Sequence, residues 1–189
     1  MYNKHWKRRF SALLLTLVLA FSTAVTASAA TLDVTRVKQA KTKWCWAATS
    51  QMIGNYMNSG SSRTQWDVVA HIKGSDYPNV GGSTSDIKNG IKYASNDTVT
   101  YTSGSTLSWS SHTSNIDSGN PIGVWMNWDD GRAHALVCAG TKTTSGNNYL
   151  YIIDPWEDNV SQWYKYDSLK NGTEIQSGTG SYDTSFWKK

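Results

Sequence analysis

Residues 44–58 of this 189-residue chain have the sequence WCWAATSQMIGNYMN. From Ala48 onward, apolar side chains recur at the spacing of one face of a helix with 3.6 residues per turn. Asn58-Ser59-Gly60 then supplies a stop signal. We therefore predict a helix from Cys45 to Asn58 that begins at the cysteine.

The position of Cys45 at the start of this helix has a chemical consequence. Unpaired N–H groups and the positive end of the helix dipole favour a thiolate over a thiol, which lowers the pKa of the cysteine. The thiolate is the nucleophilic form, so Cys45 is a candidate catalytic residue. A buried structural cysteine is the simpler interpretation, because cysteine is among the most buried residue types.

The remaining patterns place helices first and strands afterwards. Two further helices are predicted, one from Thr64 with an approximate capping box to Asp67 and one from Ser83 through Ile91. Strands are predicted at Thr98–Thr102, Ile122–Met126, Ala133–Ala139, Tyr149–Ile153 and, more weakly, Gln162–Tyr166. Residues 107–118 are ambiguous, with a short helix as one interpretation. This order predicts an α+β fold, with an N-terminal helical lobe packed on a C-terminal antiparallel β-sheet.

Two polar residues at the ends of the apolar strands are candidate catalytic partners of Cys45. His134 opens a strand after a polar turn, where a rigid element can hold an imidazole at a cleft. Asp154 ends the next apolar strand, so a hairpin would bring its carboxylate beside His134. A carboxylate there would hold one imidazole tautomer. His71 and His112 fit surface or packed positions better, and each of these signals is weak by itself.

The first 29 residues have the layout of a secretory signal peptide. Basic residues at positions 4–9 precede an apolar stretch at 13–25, and Ala27-Ser28-Ala29 is a small-residue cleavage site. A retained membrane anchor is the alternative. We expect residues 1–29 to be removed and residues 30–189 to form one exported, extracellular domain, with no stable membrane association after cleavage.

The charge of the predicted domain argues against nucleic acid as a partner. The first 29 residues carry four of the 18 basic residues and none of the 14 acidic ones, so the remainder is neutral. It has no basic run to follow a phosphate backbone. Two cysteines and three histidines beyond residue 30 lack metal-ligand spacing, so we expect no metal and no cofactor.

Taken together, these segments resemble the papain-like cysteine protease superfamily. The segment Lys43-Trp44-Cys45-Trp46-Ala47-Ala48 is similar to its nucleophile segment, and Gln39, six residues upstream, to its oxyanion-hole glutamine. Ala133-His134-Ala135 resembles the histidine strand, and Asp154-Pro155-Trp156 the third triad segment. The Gly119-Asn120-Pro121-Ile122 lead-in, the His134 strand and the Asp154-Pro155 end are more similar to compact bacterial members, such as bacteriocin-leader-processing peptidases and papain-like effectors of plant pathogens.

The resemblance implies a bacterial cysteine peptidase that acts on a peptide or protein substrate as a monomer. It implies Cys45 as nucleophile, His134 as base, Asp154 as the orienting group and Gln39 as an oxyanion donor. Two alternatives stay open. One is a cell-wall amidase or endopeptidase, and the other is a non-catalytic binding or toxin module of the same fold.

The two cysteines could form a disulfide or remain free thiols. In an exported chain, Cys45 and Cys138 would by default form a disulfide. His134 and Cys138 are four residues apart on one strand, so their Cα atoms should be about 13 Å apart. A cysteine within reach of His134 cannot easily come within the roughly 7 Å that a bridge to Cys138 needs. We therefore expect two free thiols.

Overall fold

A computed structural model of the protein describes residues 29–156, 158 and 160–189, and the predicted signal peptide lies outside these residues except for Ala29. The helices are α1 (Cys45–Met57), α2 (Gln65–Lys73), α3 (Thr84–Ala94), α4 (Trp109–Asp117) and α5 (Tyr166–Asn171). The strands are β1 (Ala29–Thr31), β2 (Tyr101–Ser105), β3 (Ile122–Trp128), β4 (Ala133–Thr144), β5 (Asn147–Ile153), β6 (Gln162–Lys165), β7 (Thr173–Ile175) and β8 (Gly178–Lys188). No helix of the described residues has the length and apolar character needed to cross a membrane.

The strands form one antiparallel sheet in the order β2-β8-β3-β4-β5-β6, with β1 paired to β4 and β7 paired to β8. Helix α1 packs on β4 and against α2 and α3. Helix α4 contacts β1, β3 and β4, and α5 contacts β5, β6, β7 and β8. Two separate apolar cores result, one containing the α1–α3 side chains and one containing those of α4 and α5. The predicted α+β class, with its helical lobe and antiparallel sheet, is confirmed.

The three predicted N-terminal helices form where their signals lie. Helix α1 begins at Cys45, as expected, and ends one residue earlier than predicted, at Met57. Helices α2 and α3 each begin with a complete capping box, formed by Thr64 with Asp67 and by Ser83 with Asp86. Each box satisfies two backbone N–H groups that a helix start would otherwise leave unpaired.

Small residues allow α1 and α3 to pack closely. A Cβ added at Gly54 would collide with Ala94, and one added at Gly90 would lie 2.6 Å from the Ser50 hydroxyl. The Ser50 hydroxyl donates within α1 to the Trp46 carbonyl at 2.8 Å, so this polar group is satisfied in the core. The close packing fixes the axis of α1 and therefore the position of Cys45 at its start.

Several element boundaries were predicted wrongly. The first predicted strand, observed as β2, begins at Tyr101 instead of Thr98, because residues after α3 continue the turn through a bond from Thr98 N–H to the Ser95 carbonyl. Strand β4 runs on to Thr144, and Tyr166 starts α5 instead of ending β6. Residues 107–118, which the sequence leaves ambiguous, contain the short helix α4.

Strand β8 was not predicted, although it lies between β2 and β3 in the sheet. Its sequence, GTGSYDTSFWK, is rich in small and polar residues and has no simple alternation. Its pairing with β3 shifts register between Trp125 and Met126, so the buried positions change from alternating to adjacent at Ser185 and Phe186. A search for alternating buried and exposed residues cannot detect such a bulge.

Candidate active site

A cleft of about 500 Å³ lies between the start of α1 and the strands β3 and β4. Cys45 and His134 both line it, from α1 and β4 respectively. Its other walls come from the following residues: Thr42, Lys43, Trp46, Gly81, Gly82, Trp125, Trp128, Arg132, Ala133, Trp156 and Ser177. The cleft is therefore bounded by the helical lobe on one side and by the sheet on the other.

Cys45 is the first residue of α1 and is partly exposed to the cleft. The N-cap residue, Trp44, makes no side-chain hydrogen bond to the first turn, so no cap group competes for the N–H groups there. The backbone groups of Trp46 and Ala135 lie near the Cys45 sulfur, favour its charged form and so lower its pKa. The helix start thus supplies the electropositive surroundings that a thiolate needs.

His134 and Asp154 form a buried pair next to this sulfur. Strands β4 and β5 are antiparallel neighbours, with Val137 opposite Ile153, so the residue after β5 lies near the start of β4. The His134 Nε2 atom is 2.8 Å from Asp154 Oδ1. This contact leaves Nδ1 as the ring nitrogen available to Cys45, which is close enough to raise the pKa of His134.

The electrostatics of these three side chains favour an ion pair. Burial raises the pKa of Cys45, but the hydrogen bond and charge of His134 outweigh burial and lower it overall. Burial lowers the pKa of His134, and the hydrogen bonds to Asp154 and Cys45 reverse this and raise it to about 9. Burial likewise raises the pKa of Asp154, but its hydrogen bond to His134 lowers it overall. Between these pKa values, thiolate, imidazolium and carboxylate coexist.

Two tryptophans enclose the imidazole. The ring of Trp128 stacks on His134 with 5.8 Å between ring centroids and 25° between planes. The ring of Trp156 meets it edge-on at 6.4 Å, while the Trp156 backbone N–H donates to Asp154 Oδ1 at 2.8 Å. The rings limit the access of water to the His134–Asp154 contact and hold the imidazole in one orientation.

The segment at residues 36–39 fastens the loop that contains Asp154. Arg36 donates from Nε to the Asp154 carbonyl at 2.7 Å and from Nη2 to the Trp156 carbonyl at 3.2 Å. The Gln39 backbone N–H donates to the carbonyl of the intervening residue, Pro155, at 2.8 Å. Residues 36–39 thus hydrogen-bond three successive carbonyl groups. These bonds hold Gln39 and Asp154 in a fixed position relative to each other.

The side chain of Gln39 is buried and is not one of the residues that line the cleft. Its Nε2 atom donates to the Lys41 carbonyl at 2.9 Å, which fixes the orientation of the amide. A primary amide nitrogen carries two hydrogens, so one donor remains for another acceptor. The Gln39 Oε1 atom is buried without a hydrogen-bond partner among the described residues.

The tryptophans on either side of Cys45 hold the facing loop. Trp44 Nε1 donates to the Pro78 carbonyl at 2.9 Å, and Trp46 Nε1 donates to the Val80 carbonyl at 3.1 Å. The ring of Trp46 lies against Gly82, where an added Cβ would collide with it. The loop that presents Gly81 and Gly82 to the cleft is therefore anchored to the start of α1.

The other candidate groups lie away from the cleft. His71 is exposed and stacks on Tyr93 at 4.0 Å, and His112 is fully buried with Nε2 at 3.1 Å from the Tyr182 hydroxyl. Both cysteines are free thiols in the described structure, as expected. Burial raises the pKa of Cys138 to about 12, so its thiol stays protonated.

Sequence reasoning did not find Arg36 or Ser177. Arg36 acts on backbone carbonyls, and backbone acceptors leave no signature in a sequence. Ser177 lies in the turn between β7 and β8, a hairpin that the sequence did not predict.

The sequence model of the Peptidase C39-like family matches residues 31–182. This chain belongs to that family. No curated protein matches its sequence. The family assignment agrees with the site, because residues 31–182 include the whole of the cleft lining.

Solved structures support a papain-like fold for this family member. A protein from Bacillus anthracis described as a C39-like peptidase superimposes with a TM-score of 0.58 at 15% identity, over 86% of this chain and 98% of the other. A chain from a study of antibody cross-reactivity between the mite allergens Blo t 1 and Der p 1 gives 0.52 at 12% identity, over 92% and 73%. UfSP from C. elegans gives 0.53 at 9% identity, over 86% of this chain but only 34% of that one.

Proposed function

We propose that this protein is a secreted cysteine peptidase that hydrolyses peptide bonds through a Cys45–His134–Asp154 triad. The observation that carries the proposal is the arrangement at the cleft. A cysteine at a helix N-terminus faces an imidazole whose far nitrogen is 2.8 Å from a buried carboxylate. Nucleophile, base and orienting group in this order are the requirements for acyl transfer through a covalent intermediate.

The first half of the proposed reaction forms a thioester. The Cys45 thiolate attacks the carbonyl carbon of the scissile bond, and the electron pair of the C=O bond moves to oxygen. The Cys45 backbone N–H and the second amide hydrogen of Gln39 stabilise that oxyanion. When the intermediate collapses, the C–N bond breaks and His134 donates its Nδ1 proton to the leaving amine.

The second half releases the acyl group. The now neutral His134 accepts a proton from water as the water attacks the thioester carbonyl, and the thiolate leaves as the C–S bond breaks. Asp154 keeps the imidazole in the same orientation in both halves and stabilises the imidazolium. The enzyme returns to its starting ion pair without a cofactor.

The proposal extends to location and substrate. The basic start, the apolar stretch and the Ala27-Ser28-Ala29 site support export and removal of residues 1–29, which leaves residues 30–189 as the peptidase domain. The open cleft, with glycines on one wall and tryptophans on others, suits an extended peptide or a protein segment. We propose that the exported domain acts as a monomer and binds neither nucleic acid nor membrane.

The test combines labelling of the thiol with a search for cleavage. We expect a peptide-like epoxide such as E-64 to label Cys45 in the purified protein, and incubation with a diverse peptide mixture to yield new termini detectable by mass spectrometry. Both signals should vanish in Cys45→Ala, while Cys138→Ala should retain them. Cleavage that persists in Cys45→Ala would overturn the proposal.

The same experiment distinguishes the alternatives. Purified peptidoglycan digested in place of peptides would identify a cell-wall amidase or endopeptidase. A Cys45 that reacts no faster than an ordinary thiol, together with no cleavage of either substrate, would indicate a binding module.

A further inference from the structure

The turn that joins β7 (Thr173–Ile175) to β8 (Gly178–Lys188) reaches into the candidate active site. The two turn residues, Gln176 and Ser177, and the first residue of β8, Gly178, each make a different contact. Gln176 Oε1 accepts from the Val160 backbone N–H at 2.8 Å, which fixes the turn to the segment beyond Asp154. Ser177 lines the cleft together with Cys45 and His134.

Gly178, the first residue of β8, lies against the tryptophan that stacks on the imidazole. A Cβ added at Gly178 would lie 3.1 Å from the ring of Trp128, and its φ of +159° is one that other residues rarely adopt. The glycine therefore lets the turn approach Trp128 closely. As Trp128 stacks on His134, the position of the turn and the position of the imidazole are mechanically linked.

The hydroxyl of Ser177 stands out in this setting. Its oxygen is buried and has no hydrogen-bond partner of ordinary geometry among the described residues. Burying a hydroxyl that makes no hydrogen bond costs free energy, so such a group calls for an explanation. The Asp154 carboxylate is its neighbour and is close enough for the hydroxyl to favour the charged carboxylate and lower its pKa.

We propose that Ser177 is a positioning residue, whose hydroxyl donates to the Asp154 carboxylate during the reaction and so keeps the His134–Asp154 pair aligned. The inference rests on the proposed function, because it assigns Ser177 a task within that triad. It also gives the C-terminal hairpin a direct part in the site.

The experiment measures the rate of alkylation of Cys45 by iodoacetamide as a function of pH, with Cys138→Ala as the background. This readout reports the thiolate–imidazolium pair and needs no substrate. Loss of the Ser177 hydroxyl should raise the pKa of Asp154. The acid limb of the alkylation profile should then move to higher pH, because a protonated Asp154 no longer stabilises the imidazolium.

Two variants of equal shape isolate the hydroxyl. Ser177→Thr keeps the donor and should retain the original profile, whereas Ser177→Val and Ser177→Ala should both show the shifted limb. Thr179→Ala, an exposed change in the same hairpin, should behave as the original protein. Where cleavage is measurable, kcat should fall by about tenfold in Ser177→Val with little change in KM, as expected for one hydrogen bond to a charged group.

The outcomes separate this inference from the proposed function. A profile unchanged in both Ser177→Val and Ser177→Ala would overturn the role of Ser177. An ordinary, slowly reacting Cys45 in the unaltered protein would instead overturn the proposed peptidase. If Ser177→Thr shifts the profile as far as Ser177→Val, the added side-chain volume causes the shift and the hydroxyl has no role.

Discussion

Arg36 and Asp154 are joined across 118 positions of the sequence by a bond of 2.7 Å from the guanidinium Nε to the backbone carbonyl. The same guanidinium also reaches the carbonyl of Trp156. The arginine thus determines the path of the loop that presents the carboxylate to His134.

The first prediction concerns this contact. Arg36→Ala should lower the free energy of unfolding by about 1.5–3 kcal/mol, the range for hydrogen bonds made by charged groups, and should lower kcat as Asp154 loses its support. Chemical denaturation and steady-state kinetics measure the two effects. Lys38→Ala is the matched control, since Lys38 lies in the same segment and forms an exposed pair with Asp158, with side chains 52% and 96% exposed. Equal losses in both variants would contradict a specific role for Arg36.

A second prediction contrasts the two cysteines. Cys45 has a lowered pKa and an opening to the cleft, while burial raises the pKa of Cys138 to about 12. At neutral pH, iodoacetamide should modify Cys45 alone, and Cys138 should react only after denaturation. Peptide mapping by mass spectrometry gives the site and the rate. Comparable rates at the two sites in the folded protein would be incompatible with an activated thiolate.

The pH dependence of activity follows from the pKa values of Cys45 and His134. Activity should appear as the pH rises through the lowered pKa of Cys45 and should decline near pH 9, where His134 loses its proton. Asp154→Asn removes the charge that holds the imidazolium, so the pKa of His134 should fall and the alkaline limb should move to lower pH.

Asp130→Asn is the control for that shift. Asp130 is an exposed carboxylate that pairs with Arg132 near the cleft but does not contact His134. The alkaline limb should be unchanged in this variant. A limb that moves equally in both variants would mean that general charge, and not the contact of 2.8 Å, sets the pKa.

Gln39 allows the proposed oxyanion site to be tested apart from the proposed nucleophile. Gln39→Ala should lower kcat for peptide hydrolysis by about 10²–10³, the usual effect of removing one oxyanion donor. Alkylation by iodoacetamide forms no oxyanion, so the rate of Cys45 labelling should hardly change. A parallel loss in both assays would show that Gln39 supports the fold of the site instead.

Buried His112 should make the stability of the fold sensitive to acid. Burial lowers the pKa of His112 from 6.5 to about 4, so the unfolded chain binds a proton between these values and the folded chain does not. The free energy of unfolding should therefore fall by roughly 3 kcal/mol as the pH drops from 6.5 to 4 and should change little from this source below pH 4. His112→Gln should abolish this slope in denaturation series, even though it lowers stability at neutral pH.

The sequence by itself determined the parts of the protein that local signals control. The 3.6-residue period and the Asn58-Ser59-Gly60 stop predicted α1, and the cap residues predicted the start of α2. The order of helices and strands was sufficient for the α+β class. The positions of Cys45, His134 and Asp154 could be selected because each lies at the end of a strongly patterned element.

Only the tertiary structure decided how those elements support one another. The pairing of β8 with β3 includes a bulge, and the hydrogen bonds of Arg36 are made to backbone carbonyls. Ser177 reaches the cleft from a turn between two weakly patterned strands. None of these contacts leaves a periodic or compositional trace, because each joins atoms that are distant along the chain. Local propensity determines where a helix or strand begins. Packing and hydrogen bonding between distant segments determine which side chains at its ends meet in the site.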